Sequence, residues 1–299
     1  MLTGHALACL TIFIWGTTFI STKVLLKAFS PVEILFLRFV IGFIALSLAY
    51  PYRLPWQGKK QELHFAAAGL CGITLYFLLE NIALTYTLAS NVGIILSVAP
   101  FFTAMFAHLF LDGEKLRLQF FLGFALAMTG IFLISFNGRA MAGLNPLGDL
   151  LALLAAVVWA AYSILTKKIA GFRYNTIQTT RRIFLYGLLF MLPALGVFGF
   201  IPDLGQMLKP VNWSNLLFLG LGASALCFVT WNVAVTVLGA VKTSVYIYLV
   251  PVITAVTASL VLQEQLTGLA VVGMALTLTG LFFSERKFCF PVRERVESE

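Results

Sequence analysis

Apolar side chains fill this chain in runs of about twenty residues, the length needed to cross a bilayer as a helix. Short segments carrying charge, Gly, Pro or Asn separate the runs. Ten can be set off, at 5–26, 31–50, 63–86, 90–111, 117–136, 147–166, 175–199, 213–236, 241–262 and 267–285. Within a run the apolar positions are continuous and do not alternate with period two, which excludes a transmembrane barrel. Hydrocarbon offers no water to the backbone, so each run must satisfy its own peptide groups as a helix. The pattern predicts an all-α polytopic membrane protein with ten transmembrane helices.

Composition agrees and narrows the class. Of 299 residues, 60% are hydrophobic and 11% charged, and the mean hydropathy is +0.96. Soluble domains sit near 45–50% and about 25%, and a soluble surface of this size needs charge to stay dispersed. A soluble enzyme, a disordered chain, a nucleic-acid-binding domain and a disulfide scaffold are therefore excluded. Cys9, Cys71, Cys227 and Cys289 form no CxxC pair, so neither a metal site nor a disulfide is expected. The first run has no basic segment before it and no small-residue cleavage site after it, so it reads as a retained span.

The net charge of +8 is best read as a topological signal. With the N-terminus in the cytoplasm, thirteen of the 20 basic residues fall inside, among them Arg53, Lys59, Lys60, Lys168 and Lys242. Four fall outside (Lys23, Lys27, Arg139, Lys209) and three, Arg38, Arg181 and Arg182, fall within spans. Basic residues gather on the cytoplasmic side, so both termini are expected there, and an odd number of spans would break the pattern.

The two halves match in order. Trp15, Lys23 and Arg38 recur as Trp159, Lys167 and Arg182, at an offset of 144. Asn81, Ala89 and Pro100 recur as Asn232, Ala240 and Pro251 at 151, and Glu114, Gly123 and Gly130 as Glu264, Gly273 and Gly280 at 150. Each half holds five spans, an odd number, so the second copy must insert upside down. Inverted repeats are the architecture of alternating-access carriers. The expected organisation is a first repeat over 1–143, a second, inverted repeat over 144–285, and a cytoplasmic tail over 286–299.

These paired elements resemble the EamA-type ten-helix members of the drug/metabolite transporter superfamily. The resemblance rests on a Trp in the first helix of each half, an Arg in the second and a mid-helix Pro in the fourth. A Glu at the turn into the fifth and two glycines seven apart complete it, and the set spans about residues 6–285. It implies export or exchange of small metabolites through a central cavity, in a bacterial inner (plasma) membrane. Family substrates include amino acids, nucleotide precursors, sugar derivatives and cationic drugs. The expected partners are a small-molecule substrate and the lipid bilayer, with a coupling proton left open. No nucleic acid and no cofactor is expected.

Identical positions in the two halves read as scaffold, and polar positions that differ read as site. Gly123, Gly130, Gly273 and Gly280 would let helices approach closely. Glu114 and Glu264 would cap helix N-termini, and Asn81 and Asn232 would bond neighbouring helices. Pro100 and Pro251 would kink their spans, act as hinges and free the carbonyls of Leu96 and Ile247. That makes the fourth helix of each half the first choice for the cavity wall, with Ser97 and Tyr248 one turn before the prolines. The first helices carry a polar stripe, with Trp15 and Thr18 in one copy and Trp159 and Tyr162 in the other. For the tryptophans, cavity lining and helix packing both stand.

Glu80 is the sharpest residue, with Tyr76 one turn before it; their counterparts are Trp231 and Cys227. An intramembrane carboxylate is by default a functional candidate, because its burial is costly unless paired or wet. Arg38 and Glu80 both fall roughly 10 Å deep, at 1.5 Å per residue from the outer ends of their spans. Two readings stand: a structural ion pair, or a gate or ammonium site. Arg182 has Trp231 where its acid would be, so it and Arg181 would snorkel to headgroups or meet an anionic substrate group. No nucleotide-binding, metalloprotease or nucleophile-elbow motif appears, and no catalytic residue is nominated. The reading in a different class is an intramembrane lipid-modifying enzyme or a lipid-scrambling or assembly subunit. His5, His64 and His108, which such an enzyme could use, are not grouped with acids in any motif.

Overall fold

The computed structural model describes residues 1–56, 58–86, 89–112, 118–136, 145–200, 203–262 and 267–285. Those residues form helices joined by short turns and irregular segments, with no strand among them. Glu114, Glu264, Arg139 and the 286–299 tail lie outside the described residues.

The first half runs α1 (Leu2–Leu25), α2 (Pro31–Ala49), α3 (Lys59–Gly69), a π segment (Leu70–Leu75), α4 (Tyr76–Tyr86), α5 (Ala89–Leu96), α6 (Ala99–Phe110) and α7 (Leu118–Phe136). The second runs α8 (Pro146–Ala170), α9 (Thr176–Phe198), a short α10 (Leu204–Met207), α11 (Pro210–Leu217), a π segment (Phe218–Leu226) and α12 (Cys227–Leu238). It closes with α13 (Ala240–Ser244), a 3₁₀ turn (Val245–Tyr248), α14 (Leu249–Leu262) and α15 (Gly268–Glu285). Among the described residues seven stretches are long and apolar enough to cross a membrane, and Leu2–Thr18, Leu118–Ile134 and Gly268–Ser284 are shorter apolar helices.

Local chemistry sets the helix starts. Ser30 accepts from Glu33 N while Glu33 reaches back to the Ser30 N–H, a capping box ahead of Pro31. Asn145 and Asn175 cap α8 and α9 with their side-chain carbonyls. The helix of the sixth predicted span continues past its apolar run to Ala170, and from this last stretch Lys167 Nζ donates to the terminal carbonyls of Val235 and Thr236 on α12.

Both fourth spans depart from the expected smooth kink. The first breaks outright at Ser97–Val98, and α6 restarts with Pro100 in its opening turn. The second tightens into the 3₁₀ turn before Pro251. Proline cannot donate and its ring crowds the carbonyl four residues back. The chain answers with shorter bonds, Ser97 N to Ile94 O at 3.1 Å and Val98 N to Ile95 O at 3.0 Å.

The main packing pairs survive an exchange of halves. α1 packs on α12 and α14, as α8 packs on α4 and α6; α2 lies on the second π segment, as α9 lies on the first. α2 with α9, and α7 with α15, are pairs that map onto themselves. The α7–α15 contact is built on the nominated glycines. A Cβ on Gly273 would stand 2.6 Å from Gly130 O, and one on Gly130 would collide with Gly273 O. The exchange fails at several places, among them α8 on α12, which α1 on α4 does not mirror among the described residues, and the fourth spans. α6 packs on α13, whereas α5 makes no comparable contact with α14 among the described residues. The bundle is thus closed between its fourth spans at the end holding the chain's N-terminus, where His5 Nδ1 and Tyr246 Oη are hydrogen-bonded at 2.6 Å.

Candidate functional site

Aromatic rings from the first and third spans of both halves meet at the centre of the bundle. Trp15 on α1 lies 5.4 Å from Trp159 on α8 and 5.2 Å from Trp231 on α12, between ring centroids. Tyr76 on α4 is 4.8 Å from Trp159, and Tyr162 is 5.0 Å from it. Phe228 joins this group to an edge-to-face set of Phe39, Phe77 and Phe184. Such pairs contribute about 0.5–1.5 kcal/mol each beyond their burial.

The nominated residues divide by accessibility. Trp15, Thr18, Tyr76 and Glu80 are half-buried, whereas Ser97, Trp159, Tyr162, Trp231 and Tyr248 are buried. Trp15 Nε1 donates to Ala223 O at 2.9 Å, a carbonyl of the second π segment. Its counterpart Trp159 Nε1 has no such acceptor, and Trp159 Nε1, Trp231 Nε1 and Tyr248 Oη are enclosed without a hydrogen-bond partner. An unpaired buried donor costs about 1–3 kcal/mol, and two of these three belong to tryptophans whose ring centroids are 6.1 Å apart. Thr18 and Ser97 bond carbonyls of their own chain segments, Trp15 O and Gly93 O. The structure does not bring Ser97 or Tyr248 into ring contact with the tryptophans.

Arg38 and Glu80 face one another electrostatically, with Tyr76 in the same group. No ion pair joins them in this structure. Arg38 Nε donates to Ser224 Oγ at 2.9 Å, and the guanidinium carbon lies 5.2 Å from the Phe77 ring centre and 5.5 Å from that of Phe39. Its partner in the fold is therefore a serine of the second π segment, which no sequence periodicity marks.

Arg182 also departs from expectation. Rather than snorkelling, its Nη2 lies 3.6 Å from Glu62 Oε1 and donates to Leu54 O at 2.6 Å. Tyr186 Oη donates to the other oxygen of Glu62 at 2.6 Å, and Arg181 donates to the carbonyls of Tyr50 and Tyr52. Sequence reasoning missed Glu62. The available signal was a carboxylate in the first turn of the third span, at the same end of the bundle as the two arginines. Asn232 bonds across helices as expected, accepting from Tyr162 Oη and donating to Thr180 Oγ1, both at 3.1 Å. Asn81 makes no such bond among the described residues. A cleft beside this network is lined by Thr166, Arg173, Tyr174, Asn232 and Thr236. It sits at the α8 and α12 ends, away from the tryptophans.

A helical bundle of apolar spans folded around an internal aromatic and charged centre is the build of an integral membrane transporter. The chain matches the EamA-like transporter family over residues 2–136 and again over 146–285, and it belongs to that family. It is 28% identical over 294 residues to an uncharacterized transporter of Archaeoglobus fulgidus, covering 95% of this chain and 97% of that protein. A probable amino-acid metabolite efflux pump of Escherichia coli is 29% identical over 292 residues, 93% of each chain. A probable terminal-alkyne amino-acid exporter of Streptantibioticus cattleyicolor is 28% identical over 282 residues, 93% of this chain and 92% of that one. A crystal structure at 23% identity shares the fold, with a TM-score of 0.75 over 94% of this chain and 96% of that chain. The protein is a transporter and not an enzyme.

Proposed function

We propose that this protein is a secondary carrier that exports or exchanges amino acids or closely related metabolites by alternating access. Its ten spans form two inverted five-helix repeats, 1–143 and 144–285, with both termini in the cytoplasm. One observation carries the reading: the main packing pairs exchange when the halves are swapped, whereas between the fourth spans α6 packs on α13 and α5 makes no comparable contact with α14 among the described residues. A duplicated carrier caught in one of two states has that asymmetry, since each repeat's contacts seal one side. With the N-terminus inside, this conformation is outward-facing.

On this reading Trp15, Thr18, Tyr76 and Glu80 line the substrate path in the outward state, while Trp159, Tyr162, Trp231, Tyr248 and Ser97 are uncovered when the inner side opens. The orphaned donors Trp159 Nε1, Trp231 Nε1 and Tyr248 Oη then find acceptors. The breaks before Pro100 and Pro251 serve as the hinges. On this reading the missing ion pair between Arg38 and Glu80 is the released state of the outer gate. The amino-acid class rests on the two exporters named above. The test is uptake of radiolabelled L-phenylalanine, L-leucine and L-threonine into proteoliposomes of the purified protein. Saturable uptake of at least one, absent from empty liposomes, is expected; none for any of the three would overturn the amino-acid reading.

A further inference from the structure

We propose that Arg38 and Glu80 form a two-point receptor for a zwitterionic amino-acid head group, Arg38 taking the carboxylate and Glu80 the ammonium. The apolar side chain then rests on Trp15, Tyr76 and Trp159. The inference rests on the amino-acid reading above and assigns its recognition to particular atoms.

Three observations meet here. First, opposite charges share one electrostatic neighbourhood inside the bundle without an ion pair. Two such groups placed only for structure would be in contact, because desolvated charge is costly when left unpaired. Second, the guanidinium is held by one edge. Ser224 Oγ takes the Nε–H at 2.9 Å, and the guanidinium carbon lies 5.5 Å from the Phe39 ring centre and 5.2 Å from that of Phe77, two rings that are themselves in edge-to-face contact. Neither Nη atom has a hydrogen bond to a described residue, and neither is sealed from solvent. A fork held through Nε presents its two Nη atoms to a planar carboxylate, the bidentate geometry in which arginine excels. Third, Glu80 is half-buried with both carboxylate oxygens unbonded among the described residues, and Tyr76 Oη beside it is unbonded too. A carboxylate one helical turn from a tyrosine suits an ammonium group, which the charge and the ring face both attract.

The inverted twin supports the contrast. Arg182 spends its guanidinium on Glu62 and Leu54 O, and Trp231 stands in place of Glu80. The receptor therefore exists in one copy, as an asymmetric substrate requires.

The experiment titrates the purified full-length protein with L-phenylalanine, phenethylamine (no carboxylate) and hydrocinnamate (no ammonium), read by intrinsic tryptophan fluorescence. Wild type is expected to bind L-phenylalanine tighter than either analogue by on the order of tenfold or more, the range for a hydrogen bond to a charged group. In Arg38→Met, L-phenylalanine falls to the affinity of phenethylamine, and phenethylamine itself is unchanged. In Glu80→Gln, L-phenylalanine falls to the affinity of hydrocinnamate, which is unchanged. Should Arg38→Met not fold, Ser224→Ala releases the guanidinium and must weaken L-phenylalanine while sparing phenethylamine. Equal binding of all three ligands by wild type would overturn the receptor, as would equal loss of L-phenylalanine and phenethylamine in the arginine or serine variant. If amino acids are taken up by liposomes but this pattern is absent, the receptor fails alone. If no amino acid binds or is taken up, both readings fail.

Discussion

Arg182 Nη2 stands 3.6 Å from Glu62 Oε1, an ion pair that ties α9 to α3 and, through Leu54 O, to the segment after α2. Glu62 is buried and also accepts from Tyr186 Oη. Its removal strands a partly buried guanidinium. Glu62→Gln is expected to destabilise the protein in detergent by about 2 kcal/mol, and Tyr186→Phe by about 1 kcal/mol. Thermal unfolding monitored by a thiol- or tryptophan-sensitive signal checks this. Wild-type stability in Glu62→Gln would show that the pair is incidental.

The α7–α15 contact has no room for a side chain at Gly130 or Gly273. Gly130→Ala should cost about 1–3 kcal/mol, the usual range for overpacking. Gly196 on α9 has nothing within 4 Å of an added Cβ, so Gly196→Ala should be neutral or stabilise by about 0.5–1 kcal/mol through helix propensity. The sign difference between the two variants is the measurement. Equal effects would mean that the two helices do not meet as described.

The hydrogen bond between His5 and Tyr246 joins α1 to the 3₁₀ turn beside the closed α6–α13 contact. Tyr246→Phe should loosen that side and raise the alkylation rate of a cysteine placed at Ser244, which is buried on α13 in this structure. The native cysteines are replaced first. An unchanged rate would count against that contact as the inner gate.

Glu80→Gln is expected to lower transport at least tenfold while leaving thermal stability within about 1 kcal/mol, because Glu80 makes no hydrogen bond or ion pair with a described residue whose loss would unfold the protein. A variant that transports at the wild-type rate would make Glu80 a passenger.

Much of the architecture was legible as hydropathy. The apolar runs, the glycine pairs and the paired Trp, Arg and Pro positions all register in one dimension, because membrane spans are nearly continuous apolar strings. The π segments at 70–75 and 218–226 were not legible. Their sequences are ordinary apolar helix formers, and the widened turn answers neighbours far along the chain: a Cβ on Gly72 would collide with the Tyr162 ring. Depth placed Arg38 and Glu80 in one layer, yet the serine that holds Arg38 lies 186 residues away. The Glu62–Arg182 pair is likewise long-range, and only folding reveals which arginine of the two twins is already occupied.

Counterflow tests the carrier account most directly. Proteoliposomes loaded with unlabelled L-phenylalanine and diluted into a trace of labelled L-phenylalanine should accumulate label transiently above its equilibrium level, because the loaded site returns inward faster than the empty one. Liposomes without the internal load should show slow uptake and no overshoot. Identical time courses with and without the load would contradict alternating access through this site.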